Sequence, residues 1–222
     1  MNLSDQILNS MNMDSGSIRE INQKEQEYHR ERLGRLTSSK FDVMMKTGRS
    51  KGDRFSATCM AYIYEKIAEI SIQAPHRVTS QSMEWGLDNE PEAIREYERA
   101  SSQKVDSCVH RFFEYGEWAG GTPDGLVGTD GIIEVKCPFN PANHIETLLS
   151  EQIPSKYYAQ VQGNMMVTDR KWCDFISYDP RQANGMNLVI LRIYRDEEFI
   201  EMLKERIDEV RIKMQELMER IM

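Results

Sequence analysis

Two carboxylates and an amine stand at a spacing suited to phosphodiester hydrolysis. Asp124 lies in the turn Gly121-Thr122-Pro123-Asp124-Gly125. Glu134 and Lys136 follow inside the run Ile132-Ile133-Glu134-Val135-Lys136-Cys137, which Pro138 ends. Cutting a phosphodiester needs carboxylate oxygens to hold magnesium and a charge to orient the attacking water. Residues two apart on a strand share a face, so Glu134 and Lys136 point one way and Val135 the other. A bare D-x9-E-x-K spacing arises by chance in many chains. Here glycines surround the aspartate and the E-x-K sits in an apolar, strand-like run, which together make a metal-dependent nuclease signature. Two acids held close repel each other unless a cation neutralises them. The bland alternative is a pair of exposed turn and edge-strand acids.

Those residues need a sheet and helices to hold them. Residues 110–115 and 118–122 read as strands joined by a Gly116-Glu117 turn. Residues 126–127 and 132–137 form a second pair across Gly128-Thr129-Asp130-Gly131, a hairpin signal. Further strands are expected over 172–178 and 188–193, separated by the Asp179-Pro180 turn and a polar loop. Helices are expected over 57–70, where Met60, Ile63, Tyr64 and Ile67 recur at helical spacing, over 82–100, and over 157–168. Glu90-Pro91 marks an internal kink or restart of the second of these, because proline lacks the N–H for the preceding turn. Ser38 and Ser39 are expected to cap a short helix carrying Phe41 and Met44. Residues 46–54 read as a surface loop. A last helix over 196–221 carries Phe199, Leu203, Ile207, Val210, Met214, Leu217 and Ile221, a stripe that packs on the sheet or reaches a partner subunit. The expectation is one α/β domain over residues 1–222, a mixed central sheet flanked by helices, with residues 1–20 a loosely held arm.

Composition permits this. A chain of 222 residues with 40% apolar and 29% charged residues is long enough for one sizeable core. It has no apolar run near the length of a membrane span, and its first residues do not begin a signal peptide, so a cytoplasmic location is expected. Cys59, Cys108, Cys137 and Cys173 are scattered without a C-x2-C pair, which argues for reduced, buried thiols over a zinc or iron–sulfur site. The net charge of -8 is unevenly spread. From Arg30 to Arg54 eight basic residues face three acidic ones, whereas from Arg195 to the end nine acidic residues face six basic ones. An acidic exterior around a basic cleft is compatible with DNA binding; a merely solvated basic segment is the alternative. The loop Lys46-Thr47-Gly48-Arg49-Ser50-Lys51 lacks G-x4-GK-[ST] and is no nucleotide-binding P-loop.

Several short stretches, in this order and spacing, resemble the phage recombination exonucleases: the phage lambda exonuclease and YqaJ-type viral recombinase family of the PD-(D/E)XK, restriction-endonuclease-like superfamily. They are Tyr28-His29-Arg30-Glu31-Arg32-Leu33-Gly34-Arg35-Leu36-Thr37-Ser38-Ser39, Trp85-Gly86 through Glu90, and Thr122-Pro123-Asp124-Gly125-Leu126. Glu134-Val135-Lys136-Cys137-Pro138-Phe139, Tyr158-Ala159-Gln160-Val161-Gln162 and Tyr178-Asp179-Pro180-Arg181 complete the set.

The resemblance implies a restriction-endonuclease-like fold and a magnesium-dependent enzyme, with two ions and manganese as a substitute. It implies degradation of linear duplex DNA from 5′-phosphorylated ends in the 5′→3′ direction. The product would be a 3′ single-stranded overhang, used by a single-strand annealing protein. A ring-shaped homotrimer threaded by DNA is implied as well. On this reading Asp124, Glu134 and the Val135 carbonyl hold the central metal and Glu90 a second one. Lys136 orients or helps deprotonate the water, and Gln160 hydrogen-bonds near the cleavage centre. Arg32 binds the terminal phosphate with Ser39 as a second donor, and Arg35 contacts the backbone. Ser38 replaces the family's small residue between Thr37 and the serine. Gln162 reads as ordinary polar surface and His144 as incidental. A structure- or site-specific endonuclease would share Asp124, Glu134 and Lys136 without needing Arg32 at a DNA end. A catalytically silent DNA-binding protein leaves the acids and the lysine unexplained, and a protein-interaction module using the C-terminal stripe leaves the central motifs unexplained.

Overall fold

The alternation around Glu134 places it on the central strand of a sheet. The computed structural model describes residues 15–48, 50, 52–75 and 79–221. In chain order its elements begin with α1 (Ser15–Arg32), β1 (Leu36–Thr37), a 3-10 turn (Ser38–Lys40), α2 (Phe41–Met45), α3 (Ala57–Ile72) and α4 (Gln81–Ser101). Then come β2 (Val105–Ser107), β3 (Phe113–Tyr115), β4 (Ala119–Gly121), β5 (Gly125–Val127) and β6 (Gly131–Lys136). The chain ends with α5 (Pro141–Ser150), α6 (Ser155–Thr168), β7 (Trp172–Tyr178), β8 (Leu188–Tyr194) and α7 (Glu197–Glu219). Arg49 and Lys51 of the basic loop lie outside the described residues, as do residues 1–14 of the expected arm; Ser15 already opens α1.

The five-stranded sheet has the order β2-β5-β6-β7-β8. β6 and β7 run parallel, and every other neighbouring pair is antiparallel. A parallel pair needs a long crossover, which α5 and α6 supply. The single sheet expected from the sequence is two: β1, β4 and β3 form a separate three-stranded sheet. Thr122-Pro123 follows β4, and proline has no N–H with which to continue a ladder. The architecture is that of a restriction-endonuclease-like α/β protein, mixed sheets flanked by helices. No helix among the described residues is long and apolar enough to cross a membrane.

Alternation on β6 decides what each face meets. Ile133, Val135 and Cys137 pack with Ala93 and Tyr97 of α4 and with Ile176 and Tyr178 of β7. On the other face Ile132 packs with Val161 and Met165 of α6 and Phe175 of β7. Glu134 and Lys136 share that second face. The far side of α6, at Ala159 and Met166, joins Leu203, Ile207, Val210 and Met214 of α7 and Phe41, Met44 and Ile63. The terminal stripe therefore packs chiefly on helices, in a cluster that also takes in Leu36 of β1 and Ala119 of β4. α6 is enclosed on both sides, so its polar residues must find partners inside the protein.

Three local expectations are corrected. Neither Ser38 nor Ser39 caps a helix; the cap positions fall on Thr37 and Lys40, without side-chain cap bonds. α4 continues through Pro91 without a restart. Helix α5 was not expected, although Asn140 caps it by accepting from the Ala142 amide and Pro141 opens it.

Candidate active site

The turn and the strand bind each other directly. The Asp124 amide donates to the Ile133 carbonyl at 3.2 Å, and the Val135 amide donates to Asp124 Oδ2 at 2.5 Å. The aspartate is thereby fixed to β6 on both sides of Glu134. Lys136 Nζ donates to Glu134 Oε1 at 2.6 Å, as expected for two residues on one strand face. Gln160 Nε2, from α6, donates to the same oxygen at 2.5 Å. Glu90 comes from α4, the opposite layer, and lines with Asp124, Val135 and Lys136 a cleft of about 590 Å³. Met83, Leu87 and Phe139 form an apolar lip to this cleft and are themselves exposed.

Crowding of like charges sets the electrostatics. Burial and then the Glu134 charge push the Glu90 carboxyl above its ordinary range, with Lys136 opposing them. Burial and Glu134 likewise push Asp124 well up against the pull of Lys136. Burial pulls the Lys136 amine down, but the Glu134 and Asp124 charges outweigh it and hold the amine above its ordinary range. Cys137, beside the site, has its thiol pushed up to about 12 by burial, so it offers no thiolate nucleophile. All four cysteines are free and buried.

The oxygens fit a hard divalent cation. Three carboxylates from three elements converge with no histidine or soft sulfur ligand among them, the donor set that suits magnesium or manganese. They are not gathered into a closed cage: among the described residues no three His, Cys, Asp or Glu side chains stand ready to hold an ion together. Repulsion spreads the acids, and both Glu134 oxygens are already engaged by protein donors. Oε1 already accepts from two donors and Oε2 from one, so a cation held at Oε1 would compete with Lys136 and Gln160.

A second cavity of about 180 Å³ opens beside the first. Its lining includes Tyr28, Arg32, Ser39, Thr122, Asp124 and Gln160. Arg32 lies at the end of α1, where its guanidinium meets the Tyr28 hydroxyl and stacks 4.8 Å from that ring. Tyr28 in turn donates to Thr122 Oγ1 at 3.3 Å. Ser39 Oγ lies 3.3 Å from Thr37 Oγ1. Arg35 does not join them; it pairs with Glu114 at 2.5 Å and lies over Phe112. Of the residues singled out in the sequence, the structure thus brings together all but Arg35.

The motif Tyr178-Asp179-Pro180-Arg181 holds the rim of the cleft. Asp179 is fully buried and accepts from Arg181 Nε at 2.7 Å. Arg181 then donates to the carbonyls of Pro138 and Phe139 at 3.0 and 3.1 Å and lies 4.4 Å from the Trp85 ring. One guanidinium therefore joins the exit of β6 to the helix that carries Glu90.

One residue differs from its sequence reading, His144 stays outside the site as read, and one residue was missed. Gln162 is fully buried, donating to the Tyr194 carbonyl at 3.0 Å and accepting from the Asp196 amide at 2.9 Å. His144 is structural, with Nδ1 2.8 Å from Ser177 Oγ and Nε2 2.7 Å from the Met186 carbonyl. The missed residue is Asn164, whose Nδ2 donates to Glu134 Oε2 at 2.9 Å. Its signal was available, since it follows Gln160 by one helical turn and so shares that face.

Comparison with known proteins places this arrangement. The YqaJ-like viral recombinase domain matches residues 27–171. The chain belongs to that family. The matched span contains Arg32, Glu90, Asp124, Glu134, Lys136, Gln160 and Asn164. Two structures of the alkaline exonuclease LHK-Exo from Laribacter hongkongensis are similar, one of them in complex with dAMP. They have TM-scores of 0.80 and 0.79 and identities of 29% and 31%, each covering 88% of this chain and 95% of its own. A phage-related exonuclease from Haemophilus somnus 129PT shares the fold, with TM-score 0.67 at 17% identity over 85% of this chain and 96% of its own. A comparison with curated proteins found no match. The homology of this YqaJ-like chain supports a nuclease of PD-(D/E)XK type acting on DNA.

Proposed function

We propose that the protein is a magnesium-dependent exonuclease that degrades the 5′-phosphorylated strand of linear duplex DNA in the 5′→3′ direction. Its products are mononucleotides and a 3′ single-stranded overhang. The observation that carries this reading is the junction of the two cavities at Asp124 and Gln160, which line the Arg32 pocket while Asp124 also lines the carboxylate cleft. A phosphate monoester gripped by Arg32 and Ser39 sets a strand terminus beside the residues that cut. A guanidinium fork suits such a phosphate.

Asp124, Glu134 and the Val135 carbonyl are the candidate holders of one magnesium ion, with Glu90 at a second position. Magnesium bound there supplies Lewis-acid polarisation of the phosphate and a nucleophilic water at neutral pH. Lys136 orients the water and neutralises charge that develops on the phosphate. Gln160, now bonded to Glu134, is within the same constellation and fixes the carboxylate on the cleft side. The apolar lip of Met83, Leu87 and Phe139 limits water at the mouth.

A closed homotrimer is part of the proposal, because a ring around the duplex accounts for processive digestion and places an acidic exterior around a basic channel. A single-strand annealing protein is the expected consumer of the overhang. The decisive experiment follows end-labelled linear duplex and closed circular DNA with and without magnesium. Mononucleotide release from linear duplex alone supports the exonuclease; internal nicking of closed circles overturns it in favour of an endonuclease. Sedimentation as a stable monomer or dimer at micromolar concentration contradicts the ring.

A further inference from the structure

We infer that Asn164 is a positioning residue that sets the plane of the Glu134 carboxylate and thereby the affinity of the site for its metal. The inference rests on the reading of Glu134 as a metal ligand and adds a residue to that centre.

The two oxygens of Glu134 have different partners. Oε1 is shared by Lys136 and Gln160, both on the cleft side and both partly exposed. Oε2 accepts from Asn164 Nδ2 at 2.9 Å. It is the nitrogen of the amide that must face this oxygen, because a carboxylate can only accept. Asn164 is wholly buried on the most enclosed helix of the fold, in an unbroken buried stretch from Val161 to Met166. Its donor cannot swing aside as the Lys136 amine can. When Oε1 is freed for a ligand, the Asn164 bond still holds Oε2 and so keeps the carboxylate from rotating.

Packing alone does not account for an amide at this position. Asn164 Oδ1 is buried without a hydrogen-bond partner among the described residues. An orphaned buried acceptor is destabilising, and a leucine of similar branched shape would carry no such cost. The surroundings also make room for it. A Cβ on Gly121 would stand 2.4 Å from Asn164 Oδ1 and 2.8 Å from Ser38 Oγ, so the glycine of the catalytic turn is shaped around the amide. Groups that orient metal ligands from behind typically change metal affinity or activity by about 10- to 100-fold when removed.

The test measures metal binding to the intact protein without DNA, by electron paramagnetic resonance of free manganese, alongside magnesium titrations of DNA hydrolysis. Asn164→Leu is expected to weaken manganese binding about tenfold or more and to raise the magnesium needed for half-maximal rate, with KM for DNA within about twofold. Asn164→Ser, too short to reach Oε2, gives the same result if the leucine variant does not fold. Gln162→Leu is the control: it removes a buried amide from the same helix, so it lowers thermal stability and leaves manganese affinity unchanged. Metal affinity retained in Asn164→Leu while Glu134→Ala abolishes binding overturns the positioning role and leaves the metal site standing. Metal affinity retained in both overturns the inference and the metal assignment together. A loss in Asn164→Leu no larger than in Gln162→Leu also overturns it.

Discussion

The Val135 amide donates to Asp124 Oδ2 at 2.5 Å, so the carboxylate from the turn is built onto the strand that carries its partner acid. A charge and a hydrogen-bond acceptor are combined in one side chain, and substitution separates them. Asp124→Asn keeps an acceptor for Val135 and is expected to fold like the parent while losing hydrolysis. Asp124→Ala loses both and is expected to be less stable than Asp124→Asn by about 0.5–1.5 kcal/mol, the usual net worth of a neutral hydrogen bond, since both variants relieve the repulsion with Glu134. Urea unfolding of the two variants beside a nuclease assay checks this; full activity in either variant removes Asp124 from the site.

Lys136 holds Glu134 Oε1 at 2.6 Å, so if Glu134 is a metal ligand the amine competes with the ion, which predicts opposite effects on binding and turnover. Lys136→Ala should bind manganese at least as tightly as the parent and yet hydrolyse DNA more than about a hundredfold more slowly, in the range seen when a preorganised electrostatic donor is removed. Glu134→Ala should lose both, and Glu90→Ala should impair turnover. Calorimetric titration paired with single-turnover rates separates these cases. Chelation by EDTA is expected to stop hydrolysis and added magnesium or manganese to restore it.

If Arg32 grips a terminal phosphate, duplex with 5′ phosphates is degraded faster than duplex with 5′ hydroxyls. Arg32→Ala should flatten that preference by roughly 10- to 100-fold, the equivalent of about 1.5–3 kcal/mol, and do less harm on hydroxyl ends. Arg35→Ala, which removes the pair with Glu114, should leave the preference intact. Equal parental rates on both ends refute the end-sensing role, and release of 3′ label first refutes the direction.

Acid should undo the tie at Arg181. Burial pushes the Asp179 carboxyl up, but hydrogen bonds from the Arg181 side chain and amide and from Gln182 hold it below its ordinary value. A carboxylate depressed in the folded state stabilises above its unfolded value, about 3.9, and that contribution is lost as pH falls through the lower folded value. Asp179→Asn should therefore be clearly less stable than the parent at pH 7, with the two unfolding curves converging below about pH 4. Curves that stay parallel down to pH 3 argue that the pair contributes nothing.

What was legible in the sequence was what one element determines by itself. The period of two fixes Glu134 and Lys136 on one face of β6 whatever that strand pairs with. The spacing from Leu203 to Met214 fixes an apolar stripe, and the same residues prove buried. What the stripe packs against depends on other segments, and it met helices. Gln162 was misread for the same reason: polarity on a helix signals a solvated face only where one side is free, and α6 has neither side free. Asn164 was legible only as a face-mate of Gln160; its partner Glu134, thirty residues earlier, comes from the fold. Arg35 carries the same motif context as Arg32, and only the fold shows that Glu114 has claimed it.

The register of β6 against β7 pairs Glu134 with Phe175 and Lys136 with Ser177. Loops of this chain can change length and be absorbed at the surface, but β6 cannot. One codon inserted between Ile132 and Val135 would turn the remainder of the strand over. The carboxylate or the amine would then face Ala93 and Tyr97, and an aliphatic side chain would face α6. A scan of single-codon insertions and deletions through the gene would read this as a sharp interval of intolerance over Gly131–Lys136. The stretch between Asp179 and Asn187 should tolerate them away from Arg181. The limits of that interval would mark the catalytic strand without any assay of chemistry.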